Sequence, residues 1–110
     1  MICNFGDVVV VPFPFVDNAN VKPRPALILS SEEFNDSHNH TIMAMITTSS
    51  IKWKTDIPIE NLKRAGLPVK SFIRLKLFTL DNRLIKKTIG SVDSKVKDQL
   101  NKNIPLSDDF

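Results

Sequence analysis

Val8-Val9-Val10-Val11 runs directly into Pro12-Phe13-Pro14-Phe15. Four consecutive β-branched residues favour extended backbone. Two prolines two residues apart each remove a ladder donor, so the strand that opens at Asp7 must lie at an edge or bend where they fall. The chain downstream shows no strand-helix alternation of the kind a parallel sheet requires. Residues 16–23, with Asp17-Asn18-Ala19-Asn20, read as a loop. Ala26 to Leu29 is a continuous apolar run that suits a strand buried on both faces. Ser30 to Asn35 reads as a single hydroxyl-capped helical turn ending in the polar stretch 35–39, and Thr41 to Thr47 as another strand. Pro58 confines a short strand over 56–59 to an edge, and Gly66 stops a helical turn over 60–65. Over 71–77, Ile73, Leu75 and Leu77 alternate inward while Arg74 and Lys76 point outward; 84–90 reads likewise as a strand. Asp93 caps a last helix whose apolar positions Val96, Leu100 and Ile104 recur every fourth residue. The expected fold is mainly β (α+β): five to seven bent antiparallel strands, two short helical turns and a C-terminal helix, forming a bent sheet or partial barrel.

The 110 residues are one domain's worth, with the expected boundaries 1–110. With 42% hydrophobic and 25% charged residues the composition is that of a folded domain, which excludes disordered and fibrous classes. No apolar run approaches the ~20 residues of a membrane span, and the first residues lack a signal-peptide build, so a cytoplasmic protein with no membrane partner is expected. The single cysteine, Cys3, is read as a small apolar residue. Charge is unevenly distributed. Residues 1–50 carry net −3 and 91–110 net −1, whereas 51–90 carry ten basic and three acidic side chains, net +7. A concentrated basic segment attracts phosphate backbones.

The motifs for chemistry are few. His38 and His40 with Asp36 have the spacing of a weak metal site, but lone histidines in a polar turn are read as exposed loop residues, and no glycine-framed nucleophile accompanies them. Gly6, Gly66 and Gly90 are too isolated for a phosphate loop. Asp7, Asp17, Asp56 and Asp81 read as turn and cap residues. Arg24 stands apart: held between Pro23 and Pro25, its guanidinium is presented on a restricted backbone and suits a phosphate or a phosphorane, the alternative being a turn arginine paired with Asp17 or Asp7. Thr47-Thr48-Ser49-Ser50 clusters four hydroxyls at a strand end, able to donate to phosphate oxygens or simply to build a turn.

Gly6 to Phe15, Lys22 to Ser30, Met45 to Ser49, Gly66-Leu67, Ser71 to Arg74 and Leu77 to Asp81 occur in the order and approximate spacing of MazF/PemK-like toxins, and the chain resembles that family from residue 5 to about 100. The resemblance implies a homodimeric SH3-like barrel that cleaves single-stranded RNA without metal or other cofactor and is held inactive by a cognate acidic antitoxin. Arg24 matches the family's catalytic arginine and Thr47 its catalytic hydroxyl residue. Lys22, Thr48, Ser49, Lys52, Lys54, Arg74 and Lys76 are the expected substrate-binding residues. One departure is Phe78, which stands before Thr79-Leu80-Asp81 where many members carry an arginine; Arg74 and Lys76 are the expected substitutes for its charge. The alternative function is a non-catalytic binding module of the same fold, similar to a gyrase-binding toxin or a degenerate antitoxin-binding homologue.

Overall fold

The computed structural model describes residues 1–12 and 22–110. The expected continuation of the first strand over 13–15, most of the loop over 16–23, and Asp17 lie outside the described residues. Strand β1 (Asp7–Pro12) pairs antiparallel with β2 (Pro23–Ile28), and Pro12 stands opposite Pro23 at the end of that ladder. On its other side β1 meets β6 (Lys87–Ser91) only from Asp7 to Val10, so the proline lies beyond the stretch paired on both sides. Strand β3 (His40–Thr47) pairs with β2 and with the long strand β5 (Ser71–Asp81), and β4 (Ile57–Ile59) with its central proline occupies the expected edge.

The order β4-β5-β3-β2-β1-β6 gives one six-stranded antiparallel sheet. Helix α2 (Leu62–Ala65), which follows one edge strand, packs on the other edge strand β6, and α3 (Ser94–Asn103) packs on β4, so the sheet curls into a half-barrel. The curl is closed by two glycines. Gly66 ends α2 at φ 72° and donates its N–H to the Leu62 and Lys63 carbonyls, while the carbonyl of Ile89 occupies the space a Cβ would need. Gly90 in turn lies against the backbone of Arg64 and Ala65.

Alternation along the strands splits the core between two faces. Val8, Leu27, Ala44, Ile46 and Ile73 join Val96 and Leu100 of α3 inside the curl. Val9, Val11, Ala26, Ile28 and Met43 form a second cluster with Cys3 and Ile85 on the opposite face. The expected double burial of 26–29 is therefore met. Burial raises the pKa of the Cys3 thiol, in keeping with an apolar role.

Three expectations need correction. Helix α1 (Glu32–His38) runs two turns, not one, because Ser31 caps it and Asn35, expected in a polar turn, is a fully buried anchor. The Asn35 amide donates to the carbonyls of Cys3 and Ser30, at 2.9 and 3.2 Å, and its oxygen accepts from the Ser30 hydroxyl. Asn82 extends the network, donating to the Asn35 carbonyl at 2.7 Å and accepting from Thr41 at 2.6 Å. Second, the sixth strand starts at Lys87, since Asp81 caps a 3-10 turn (Asn82–Leu84) that diverts the chain. Third, Leu77 is exposed: β5 carries two extra residues where Ala44 pairs with Leu77 but Met45 with Arg74, and past this bulge Phe78 and Leu80 supply the apolar contacts, on the second cluster.

Gly66→Ala forces a Cβ onto the Ile89 carbonyl at a positive φ and is expected to cost about 2 kcal/mol or more. Asn82→Ala leaves the Thr41 hydroxyl and the Asn35 carbonyl without their partner and is expected to cost about 1–3 kcal/mol. Urea denaturation of the two variants beside the parent checks both.

Candidate functional site

The ladder registers set which side chains share a surface. Ala26 pairs with Met45, and Met45 with Arg74, so these three form one cross-strand row. Continuing the β2–β3 register by two residues sets Arg24 opposite Thr47, and Thr47 pairs with Phe72. Arg24, Thr47 and Phe72 thus form a second row on that face. Arg24 is exposed. Thr47 is buried, and its hydroxyl oxygen accepts the Ser49 N–H at 3.1 Å, which leaves the hydroxyl proton to donate. Ammonium groups gather over Phe72: Nζ of Lys52 lies 4.5 Å and Nζ of Lys70 5.8 Å from the ring centroid. The ladder thus sets the Thr47 hydroxyl beside a cation-covered ring, and the continued register puts Arg24 at the position opposite Thr47.

Arg74 is not where its alternation predicts. Its side chain is buried at 9% exposure and pairs with Asp56, whose side chain is 3% exposed. Nε and one terminal nitrogen donate to the two carboxylate oxygens at 3.1 and 2.8 Å, and the same terminal nitrogen donates to the Ile51 carbonyl at 2.7 Å. The guanidinium also stacks under Trp53, 4.7 Å from the ring centroid. The physical reason is the loop between β3 and β4, which folds over β5 and covers the face that the alternation pattern leaves to solvent. Asp56 closes that loop further by accepting the Trp53 N–H at 2.9 Å and donating its own N–H to the Trp53 carbonyl at 3.1 Å. Hydrogen bonds from Arg74, chiefly, hold the Asp56 carboxyl below its usual range against the opposing effect of burial.

The other expected residues spread around this loop. Lys22 is exposed just before β2, Thr48 and Lys54 are exposed, and Ser49 is half-buried with its hydroxyl accepting the Ile51 N–H at 3.2 Å. Lys76 is exposed on the bulge of β5. His38 and His40 are exposed; the His38 ring stacks on Phe34 at 4.1 Å between centroids. Among the described residues no three His, Cys, Asp or Glu side chains group as metal ligands. Asp81, paired with the exposed Arg83, has its carboxyl lowered to about 2 by that guanidinium. Sequence reasoning missed Trp53 and the tie from Asp56 to Arg74. The signal for Trp53 was present, a lone tryptophan between Lys52 and Lys54 in the most basic stretch; the tie to Arg74 spans eighteen residues and leaves no local pattern.

Residues 4–107 match the family model described as the PemK-like, MazF-like toxin of type II toxin-antitoxin system. No curated protein matches the sequence. Solved structures with the same fold include a chain of the MazE-MazF crystal structure from Deinococcus radiodurans, 17% identical with 94% of each chain covered and a TM-score of 0.76. An endoribonuclease in complex with its cognate antitoxin from a mycobacterial species is 15% identical over 96% of this chain and 99% of that one, TM-score 0.73. The Mycobacterium tuberculosis toxin MazF-mt6 is 21% identical over 89% and 91%, TM-score 0.71.

The folded Asp56 pKa lies below the unfolded value near 4, so the stabilisation it provides is complete above that value and is lost as pH falls through the lower folded one. Trp53 emission is therefore expected to hold constant from pH 8 to about 5 and to shift only on further acidification. Asp56→Ala, which strands the Arg74 charge, is expected to red-shift that emission at pH 7 and lower the Tm; a fluorescence pH titration and thermal melts check both.

Proposed function

The chain belongs to the PemK-like, MazF-like toxin family of type II toxin-antitoxin systems, and from that premise we propose that it is a metal-independent endoribonuclease acting on single-stranded RNA. The reading is supported by the ladder register: continued by two residues, it puts the exposed Arg24 opposite Thr47, whose partner Phe72 carries the Lys52 ammonium. This combination has a direct use at a phosphodiester. The 2′-oxygen of the RNA attacks the adjacent phosphorus, the bond to the 5′-oxygen breaks, and the products are a 2′,3′-cyclic phosphate and a 5′-hydroxyl. Charge accumulates on the phosphorane oxygens, where a guanidinium is most effective, so stabilisation is the role of Arg24, a poor base; solvent takes the 2′-hydroxyl proton and returns one to the leaving 5′-oxygen. Thr47 donates to a non-bridging oxygen, with Thr48 and Ser49 beside it.

Lys22, Lys52, Lys54 and Lys76 make the electrostatic approach for the strand. Arg74 acts differently from its expected role. Committed to Asp56, it positions the loop that carries Lys52 and Lys54. Phe78 packs on the second core cluster, and the charge that an arginine would bring there is left to Lys76 and to this loop. The inhibitor is a cognate antitoxin with an acidic tail folding onto the same cations; the antitoxin complexes among the similar structures support such a partner, and the family likeness supports a homodimer.

Incubation with a long single-stranded RNA in excess EDTA is expected to yield fragments with 2′,3′-cyclic phosphate ends. Arg24→Ala is expected to slow cleavage on the order of 10²–10³-fold and Thr47→Ala to slow it markedly, with Thr47→Ser retaining more activity. Intact RNA across several substrates would instead indicate a binding module.

A further inference from the structure

Trp53 has no part in the chemistry described above, yet its placement is unusual for so large an apolar side chain. It is 44% exposed at the tip of the loop between β3 and β4, beside Ile51 at 77%. An exposed indole is ordinarily free to change rotamer. Here its backbone is closed into a turn by Asp56 on both sides, and its ring is backed by the Arg74 guanidinium. The same guanidinium holds the Ile51 carbonyl, two residues before the ring. One face of the indole is thus occupied by a buried, paired cation while much of the side chain remains open to solvent. Lys52 and Lys54 flank it in sequence, and Lys52 reaches back over Phe72, the register partner of Thr47.

We propose that Trp53 is a base-stacking platform for the single-stranded RNA whose phosphate is held between Arg24 and Thr47, with the strand running from that pair across Phe72 and the Lys52 ammonium to the indole. The proposal rests on the ribonuclease reading and adds a residue to its substrate site. Its physical basis is the pairing of aromatic faces with backbone-neutralising cations by which proteins hold single strands: every base offers a π-face, and each phosphate needs a positive neighbour. Trp53 supplies the first and Lys52 and Lys54 the second. Preorganisation by Asp56 and Arg74 removes the entropy otherwise lost in fixing an exposed ring. The occupant is a nucleobase rather than an acidic peptide because the indole, with the apolar Ile51 beside it, offers a stacking surface rather than a charged one, and Lys52 and Lys54 flank it in sequence.

The chain contains one tryptophan, so its intrinsic fluorescence reports this site alone. Wild-type protein is titrated with a 2′-deoxy single-stranded oligonucleotide, which lacks the attacking hydroxyl, and in parallel with inorganic polyphosphate and a poly-glutamate peptide. Expected are quenching by the oligonucleotide, little change with either polyanion, binding to a labelled oligonucleotide weakened about tenfold by Trp53→Ala, and recovery of most of that loss in Trp53→Phe. Oligonucleotide binding with unchanged emission and an unaltered Trp53→Ala affinity would overturn the proposal while RNA cleavage by the wild type left the ribonuclease reading standing. Quenching by the acidic peptide alone would overturn it in favour of a protein-docking role. Absence of both binding and cleavage would remove the proposal together with the reading beneath it.

Discussion

The middle strands β1, β2 and β3 are apolar on both faces, and everything else in the molecule is arranged to cover them. A sheet with one wet face can remain open, but two dry faces need two separate covers. The inner face is covered by curling the sheet and laying α3 across it. Among the described residues no helix adds an apolar side chain to the outer cluster; the segment around Cys3, the residue Ile85 and the far half of β5 supply its remaining members. Covering it brings backbone into the interior, and the polar groups so buried require partners. The Ser30, Asn35, Thr41 and Asn82 network supplies them, and among the described residues no buried side-chain polar atom is left without one.

Much of this architecture is local enough to be legible. The valine run, the confined Pro58 strand, the Gly66 stop and the Asp93 cap each depend on a few neighbouring residues, and each appears at its expected place. The errors share a cause. Asn35 looks like a turn residue because asparagine prefers turns, and only the buried carbonyls of Cys3 and Ser30 make it a helix anchor. Arg74 looks solvent-facing because alternation assumes that nothing lies outside the strand, whereas a loop from another part of the chain does. In both cases a distant segment supplies the environment. The candidate site is legible in the same measure: Arg24 and Thr47 stand out by type and by family resemblance, while the facing positions that a continued β2–β3 ladder gives them depend on a register that sequence alone does not display.

Net charge is also redistributed on folding. The segment 51–90 carries ten cations, but Arg74 is spent on Asp56, and Arg83 faces Asp81 on another part of the surface. The surface presented near Thr47 is thus narrower than the sequence count suggests, and it is built on lysines more than arginines. Lysine is a flexible point charge rather than a fixed fork, suited to following a backbone without demanding one geometry. Among the described residues Arg24, between its two prolines, is the cation of that face with a restricted backbone.

The pairing of β1 with β6 joins Asp7 to Ser91, nearly opposite ends of the chain. During synthesis β1 and β2 emerge early, yet one side of β1 has no strand beside it until residues 87–91 have also emerged. A row of unmet backbone donors and acceptors on an apolar strand is a template for incorrect pairing. Long-range closure of this kind slows folding, so the nascent chain passes through an interval in which its own first strand is its main aggregation hazard. Pro12, at the end of the ladder with β2 and beyond the stretch paired with β6, is in that interval a gatekeeper: it limits how far a stray strand can extend along β1 before the proper partner arrives.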